Sequence, residues 1–422
     1  MANNKLFENA NFRNYVIGLA SSNIGNVFYG FAVTWYLLSI THSAFHLSAF
    51  FLVGNIARTV VLSFSGNYID NRNKISIMMR SDFARFVFLI PAVLVVRLSD
   101  SISLHVVSLY TVHILLNIAD GFFDPASNAV IPSLVEKEEL TQAWSLFSLV
   151  DSFQYAIAML LIGVLYSVIG IFGILIVDGF TFLVSFYFNK KIKLDSVNTV
   201  TTHSTSKKLF KLINFRWILN EKYVFNVLLI SSFYGFFIIS LSQVGYRYIF
   251  NQGLSVAPEF FSIFAFSGII GTTIISSIMM KTKKKFDFFI LFRRTLIIVI
   301  FITTISFYSI FLVNERGVSL FFFIVVLCLY NFTRSVLMGR VGTIMNVKYS
   351  EMIPKERRGQ FFAMNNFVRE IVTGVSIILG GLLLDFSLNI YLLFVIMGTL
   401  LTLLLLLAIN RKNKFGITMN DI

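Results

Sequence analysis

Residues 156–188 read AIAMLLIGVLYSVIGIFGILIVDGFTFLVSFYF, with one charged side chain, Asp178, in 33 positions. A helix rises about 1.5 Å per residue, so a hydrocarbon layer is crossed in roughly 20 apolar residues. This stretch therefore spans the end of one crossing and the whole of the next, with Gly170 as the link. Working outward, the apolar runs predict span cores at 14–40, 45–67, 79–98, 104–130, 142–167, 171–189, 223–250, 258–280, 287–313, 318–346, 361–385 and 388–410. Barrel strands are excluded by length, since each needs only about 9–11 alternating residues. The fold class is an all-α membrane protein of about twelve transmembrane helices.

Composition agrees. The chain is 56% hydrophobic and 13% charged, against about 25% charged in soluble domains. A water-soluble fold could not cover so much apolar surface with polar groups. The 48 Phe suit packed helices and acyl chains, and the 5 Pro suit long unbroken ones. No cleavable signal peptide is expected, because the first span is too long and no small-residue cleavage site follows it.

The net charge of +14 would suggest nucleic acid in a soluble protein. Here the cations lie between apolar runs and set topology, so no nucleic-acid partner is expected. With the N-terminus inside, cytoplasmic segments and their flanks hold 27 of the 35 Lys and Arg. Outer loops hold only Arg97, Arg247 and Arg316. This bias predicts both termini in the cytoplasm of a multi-pass cell-membrane protein.

The longest polar interval, about 190–222, follows six spans and precedes six. It predicts an N-terminal half at 1–189, a cytoplasmic linker at 190–222, a C-terminal half at 223–410 and a tail at 411–422. Phe210 to Trp217 could form a surface helix or stay solvated. A weak echo relates the halves: Val135-Glu136-Lys137-Glu138, Gln142 and Gly163 match Ile353-Pro354-Lys355-Glu356, Gln360 and Gly381 at a shift of 218. Duplicated halves around a mid-membrane site are a recurring transporter plan.

Ionisable residues inside spans carry the most information, because each costs about 2.5–3.5 kcal/mol at mid-membrane on insertion scales. The first half has Arg58, Asp82, Arg85, Asp120, Asp124, Asp151 and Asp178. The second has Arg334, Arg340, Arg369 and Glu370. Asp82 and Arg85 at i and i+3 share a helix face, which favours a structural ion pair. Asp120 and Asp124 also share a face. Two adjacent carboxylates raise each other's pKa, and burial raises it further, so one of them could hold a proton. Because Asp124 precedes Pro125, the alternative is that it satisfies backbone freed by the proline or meets an arginine. Asp151 and Asp178 fall well inside their spans. Asp178 has no cation within a helical turn, which makes it the first candidate for a proton-binding carboxylate, with a partner such as Arg58 as the alternative. Glu370, the one acidic residue deep in the second half and a further coupling candidate, follows Arg369. Adjacent residues do not face each other, so each is expected to need a partner elsewhere.

Small residues at i and i+4 (Gly18 with Ser22, Ser21 with Gly25, Ser267 with Gly271, Ser376 with Gly380) predict close helix contacts. No Walker loop, His-Glu-x-x-His or Gly-x-Ser-x-Gly occurs, so no enzyme is expected. The single cysteine, Cys328, and five scattered His point to no disulfide framework and no metal site. No cofactor is expected beyond a proton gradient.

Gly66-Asn67-Tyr68-Ile69-Asp70, with Arg72 and Lys74, resembles the loop between helices two and three of the major facilitator superfamily, Gly-x-x-x-Asp-Arg-x-Gly-Arg/Lys. Asn71 replaces the Arg and Asn73 the Gly. Phe12-Arg13, Ser81-Asp82, Phe123-Asp124-Pro125, Ile131-Pro132-Ser133-Leu134-Val135 running to Leu140, and Asp178 with Ser185 look like the macrolide-efflux branch of its drug:proton antiporters. The fifth helix departs from the antiporter pattern of Gly-Pro followed by paired glycines: it has Ala158-Met159 and then Ile162-Gly163. The resemblance implies alternating access, with the Asp70 loop as a cytoplasmic latch, and a monomer. The implied function is proton-coupled efflux of drugs or other lipophilic or amphipathic small molecules. Transport of a lipid, siderophore or metabolite is the alternative, and a non-transporting membrane sensor or immunity protein is the alternative of another class.

Overall fold

The computed structural model describes residues 6–70, 72–193, 222–281, 288–316, 320–353 and 358–413. The linker expected at 190–222 therefore lies outside the described residues over 194–221, as do Phe210 to Trp217, the second copy of the loop echo at 354–357 and the tail beyond 413. The described residues are helical, with no strand among them.

Twelve helices follow in order among those residues: α1 (Ala10–Thr41), α2 (Ala44–Asp70), α3 (Lys74–Leu98), α4 (Ile102–Leu134), α5 (140–169), α6 (171–190), α7 (from Lys222), α8 (Pro258–Lys281), α9 (Phe288–Arg316), α10 (Leu320–Met352), α11 (Arg358–Phe386) and α12 (Leu388–Asn413). α5 and α6 are separate helices parted at Gly170, whose φ of 64° and ψ of −173° break the helical path. That conformation is open to glycine and costly for other residues. It is the physical reason one apolar stretch makes two crossings. α7 runs regularly from Lys222 to Ser240 and then through π-helical turns at Leu241–Gly245 and Ile249–Gly253.

Most helices outrun the apolar cores read from sequence. α3 begins at Lys74 rather than 79, and α10 reaches Met352 rather than 346. Backbone hydrogen bonds continue past the hydrocarbon into the headgroup layer, where polar side chains are tolerated. Nine helical stretches among the described residues are long and apolar enough by themselves to cross a membrane, Gln142–Lys190 counting as one. α3 and α11 fall short because charged side chains dilute their apolar runs.

Starts are capped by side chains. Asn9 accepts from the amides of Asn11 and Phe12, Asn73 from that of Ser76, and Ser101 from that of Leu104. Each meets amides that the first helical turn leaves unpaired.

The chain divides into two compact units: Met1–Leu209 with Leu254–Ser262, and Phe210–Gly253 with Ile263–Ile422. In the first, α1 packs along α5 and α6, α2 along α4, and α3 against both α4 and the α5–α6 segment. One end is tied by Asn9 Nδ2 donating to Leu134 O at 2.7 Å and by reciprocal bonds between Asn11 and Lys193. The core there includes Phe12, Tyr15, Ile77, Met78, Phe123 and Ile131. In the second, α7 packs on α11 and α12, and α9 on α10 and α12, around a core with Val227, Phe288, Phe292, Leu296 and Tyr349. The small residues lie at close approaches. A Cβ on Gly25 would collide with Thr181 and Asp178, one on Gly271 with the Phe332 backbone, and one on Gly380 with Ser240. Large apolar side chains such as Val60, Phe153, Phe180, Phe301 and Leu404 face outward, as lipid contact requires.

Candidate functional site

Three charged side chains of the first unit, Asp82, Arg85 and Asp120, gather where α3, α4 and α6 meet. Asp82 and Arg85 on α3 are both fully buried. Asp82 accepts from Arg85 Nη1 at 3.3 Å, from Ser185 Oγ at 2.8 Å and from Asn189 Nδ2 at 2.9 Å. Ser185 and Asn189 are one turn apart on α6 and bond each other at 3.2 Å. The second guanidinium nitrogen of Arg85 lies 2.5 Å from Asp120 Oδ1 on α4. The guanidinium plane rests over the rings of Phe123 at 4.1 Å and Phe182 at 5.3 Å. One cation thus holds two carboxylates on two helices, walled by aromatic faces that favour it.

Asp124, one turn beyond Asp120, pairs with Arg58 of α2 at 2.5 Å. Of the roles open to Asp124, the structure shows the arginine. It also corrects the grouping of Arg58 with buried charges: Arg58 is 46% and Asp124 40% exposed, because no helix of the unit covers that face of α2. Arg58 is engaged with Asp124 and is no hydrogen-bond partner of Asp178.

Asp178 is wholly buried on α6, yet neither carboxyl oxygen makes a hydrogen bond. Gly25 of α1 comes so close that a side chain there would strike the carboxyl. Ser21, one turn before Gly25, donates to Thr181 O at 3.2 Å and pins α1 to α6. Tyr29, one turn after Gly25, has a buried hydroxyl that also finds no partner. Arg85 and Asp120 are the charged groups that act on Asp178 electrostatically among the described residues. The arrangement is two unsatisfied buried polar groups, a carboxyl and a phenol, beside an ion-pair network. Sequence reasoning missed Tyr29 and Asn189. Their spacing of one turn from Gly25 and from Ser185 was the available signal.

The remaining candidates lie elsewhere. Asp151 is exposed, and its carboxylate accepts from Asn23 at 3.1 Å and Gln154 at 2.8 Å. Its central position along α5 does not bury it, because depth along a helix does not decide which way a side chain faces. Arg369 and Glu370 on α11 are 62% and 45% exposed and 4.0 Å apart. This corrects the expectation that each needs a partner elsewhere: the exposed face lets two long side chains bend toward each other. Arg340 is partly buried on α10. Arg334, also on α10, donates to Asn331 Oδ1 at 3.3 Å.

At the C-terminal end of α2, Asp70 is exposed and joins no ion pair among the described residues. Arg72 stacks over Tyr68 at 4.3 Å. Lys74 opens α3. A Cβ on Gly66 would meet nothing within 4 Å. A cavity of about 210 Å³ between α2, α3 and α4, with Tyr68, Ile77, Arg80 and Phe122 in its lining, includes none of the candidate carboxylates. Among the described residues no three His, Cys, Asp or Glu are grouped as a metal site requires.

The family model described as Major Facilitator Superfamily matches residues 15–377. Comparison with curated proteins finds no match. Among solved structures, the chain is similar to a bacterial homologue of the iron transporter ferroportin in an inward-facing state, at 16% identity and TM-score 0.75, over 94% of this chain and 98% of that one. It is also similar to the nucleoside transporter NupG, at 12% identity and TM-score 0.70 over 96% and 99% of the two chains. A D-xylose–proton symporter matches at 14% identity and TM-score 0.65, over 93% and 96%. At these identities the likeness is one of fold.

Proposed function

The chain belongs to the Major Facilitator Superfamily, and from that premise we propose that it is a proton-coupled exporter of lipophilic or amphipathic small molecules, macrolide-like compounds among them. The observation that carries this reading is Asp178: a carboxyl fully buried in a membrane bundle with no hydrogen-bond donor. A bare carboxylate in such a place is costly. One proton neutralises it, and release of that proton requires the site to change its surroundings. That is the link an antiporter needs between protonation and alternating access. Tyr29, whose buried hydroxyl also lacks a partner, is the further polar group of this stretch of α1. Arg85, held between Asp82 and Asp120, supplies the positive charge that would favour release.

In this account the halves at 1–189 and 223–410 rock as bodies, with both termini in the cytoplasm and the Asp70 loop as latch. The protein works as a monomer in the cell membrane. Carriage of a metabolite is the second reading, motivated by the nucleoside and xylose carriers of similar fold.

The test is a substrate panel of macrolides, dyes, nucleosides and sugars in a strain lacking its own efflux pumps. Expression is expected to lower accumulation of at least one amphipathic compound, and a protonophore to abolish the effect. Accumulation that rises for a nucleoside or sugar would support the second reading instead. No change for any compound would contradict transport of these classes.

A further inference from the structure

Proton coupling as read above uses the first unit and leaves one cation of the second unit without a role. Arg334 lies on α10, and no ion pair among the described residues includes it. A guanidinium offers five N–H donors. Asn331 Oδ1 takes one, at 3.3 Å. The Asn331 amide cannot turn to offer more, because its Nδ2 donates to Phe264 O of α8 at 2.8 Å. The Nε of Arg334 is buried and unpartnered. The Tyr234 hydroxyl adjoins the guanidinium but makes no well-directed hydrogen bond.

A second set of donors stands beside it. Tyr330, one turn before Arg334, accepts from Tyr246 Oη at 3.0 Å and from Thr303 Oγ1 at 3.2 Å. With both accepted bonds in place, the proton of Tyr330 is left to donate. The walls are aromatic: Tyr246 lies 4.7 Å from Phe264 by ring centroid, and Phe250 5.1 Å from the same ring. Arg334 as a whole is only partly buried, so something can reach it.

We infer that Arg334, with Tyr330 and Tyr234, receives an oxyanion, a carboxylate or phosphate, carried by an aromatic or aliphatic body. A planar fork of unused donors matches two oxygens at once. An intramembrane cation without a counter-charge is costly until one arrives. The inference deepens the transport reading by naming a substrate class, an amphipathic organic anion. An anionic lipid headgroup offers the same chemistry, and the experiment separates the two.

The full chain is reconstituted in phosphatidylcholine nanodiscs and treated with phenylglyoxal. Modification of Arg334 is followed by peptide mass spectrometry, with exposed Arg97 as the reference. Saturating 2-naphthoate is expected to slow modification of Arg334 at least fivefold and to leave Arg97 unchanged, while 2-naphthol protects neither. Arg334→Gln is expected to weaken naphthoate binding at least tenfold by equilibrium dialysis, with Arg334→Lys intermediate. Equal modification with and without naphthoate overturns the proposal. So does an Arg334 that never reacts, because the anion could not enter either. Protection by phosphatidylglycerol in the disc without protection by naphthoate assigns the site to lipid and overturns the substrate claim. The labelling reads binding and not flux, so a chain that binds naphthoate but moves nothing would refute transport and leave this site standing.

Discussion

Replacing Asp82 by Asn probes the network that joins α3, α4 and α6. The side chain is fully buried and accepts three hydrogen bonds, one charged and two neutral. Asn keeps the volume but removes the charge and puts an amide donor where two donors already point. Breaking a buried ion pair by removing one partner costs about 3–5 kcal/mol. Arg85 keeps Asp120 at 2.5 Å, which puts the cost near the lower end, about 3 kcal/mol. At 1.36 kcal/mol per decade that is about a hundredfold in the unfolding equilibrium. Asp151→Asn is the control: its carboxylate is exposed and takes two neutral donors, so about 1 kcal/mol or less is expected. The assay is SDS-induced unfolding of the purified full chain in mixed micelles, followed by far-UV and near-UV circular dichroism. If Asp82→Asn shifts the midpoint no more than Asp151→Asn, the network does not hold the unit together and the reasoning fails.

Two further substitutions test local geometry. Gly25→Leu drives a side chain into Thr181 and Asp178; overpacking of this kind costs about 1–3 kcal/mol or more, whereas Gly18→Ala, whose nearest contact would be 3.3 Å, is expected to cost less in the same unfolding assay. Gly170→Ala keeps the space, since nothing lies within 4 Å, but forces a Cβ into a φ of 64°; a loss of about 1–3 kcal/mol is expected, and an unchanged midpoint would mean the α5–α6 break does not depend on glycine.

The fold was legible because a bilayer imposes a length on apolar runs that needs no tertiary information. The break at Gly170 was legible for the same reason: the stretch 156–188 is too long for one crossing, and Gly170, near its middle, has the required backbone. The Asp82–Arg85 pair followed from helical periodicity, and the isolation of Asp178 from the lack of a nearby cation along the chain. What periodicity cannot supply is which face a neighbouring helix covers. Asp151 and Asp178 occupy similar depths in their spans, yet one is exposed and the other sealed against Gly25. Arg58 could be matched to either Asp178 or Asp124 from sequence, and only the packing of α2 on α4 decides for Asp124. Tyr330 lies one turn before Arg334 on α10, but Tyr234 and Tyr246 come from α7, far away in the chain, and no local pattern announced those two.

The central claim is that Asp178 carries the coupled proton. Inverted membrane vesicles energised to an acid interior, with a pH-sensitive dye, read it most directly. Adding a transported compound to vesicles holding the native chain is expected to release part of the pH gradient, and Asp178→Asn vesicles, with protein present at equal amount, to show no such release. A full response from Asp178→Asn would contradict the account.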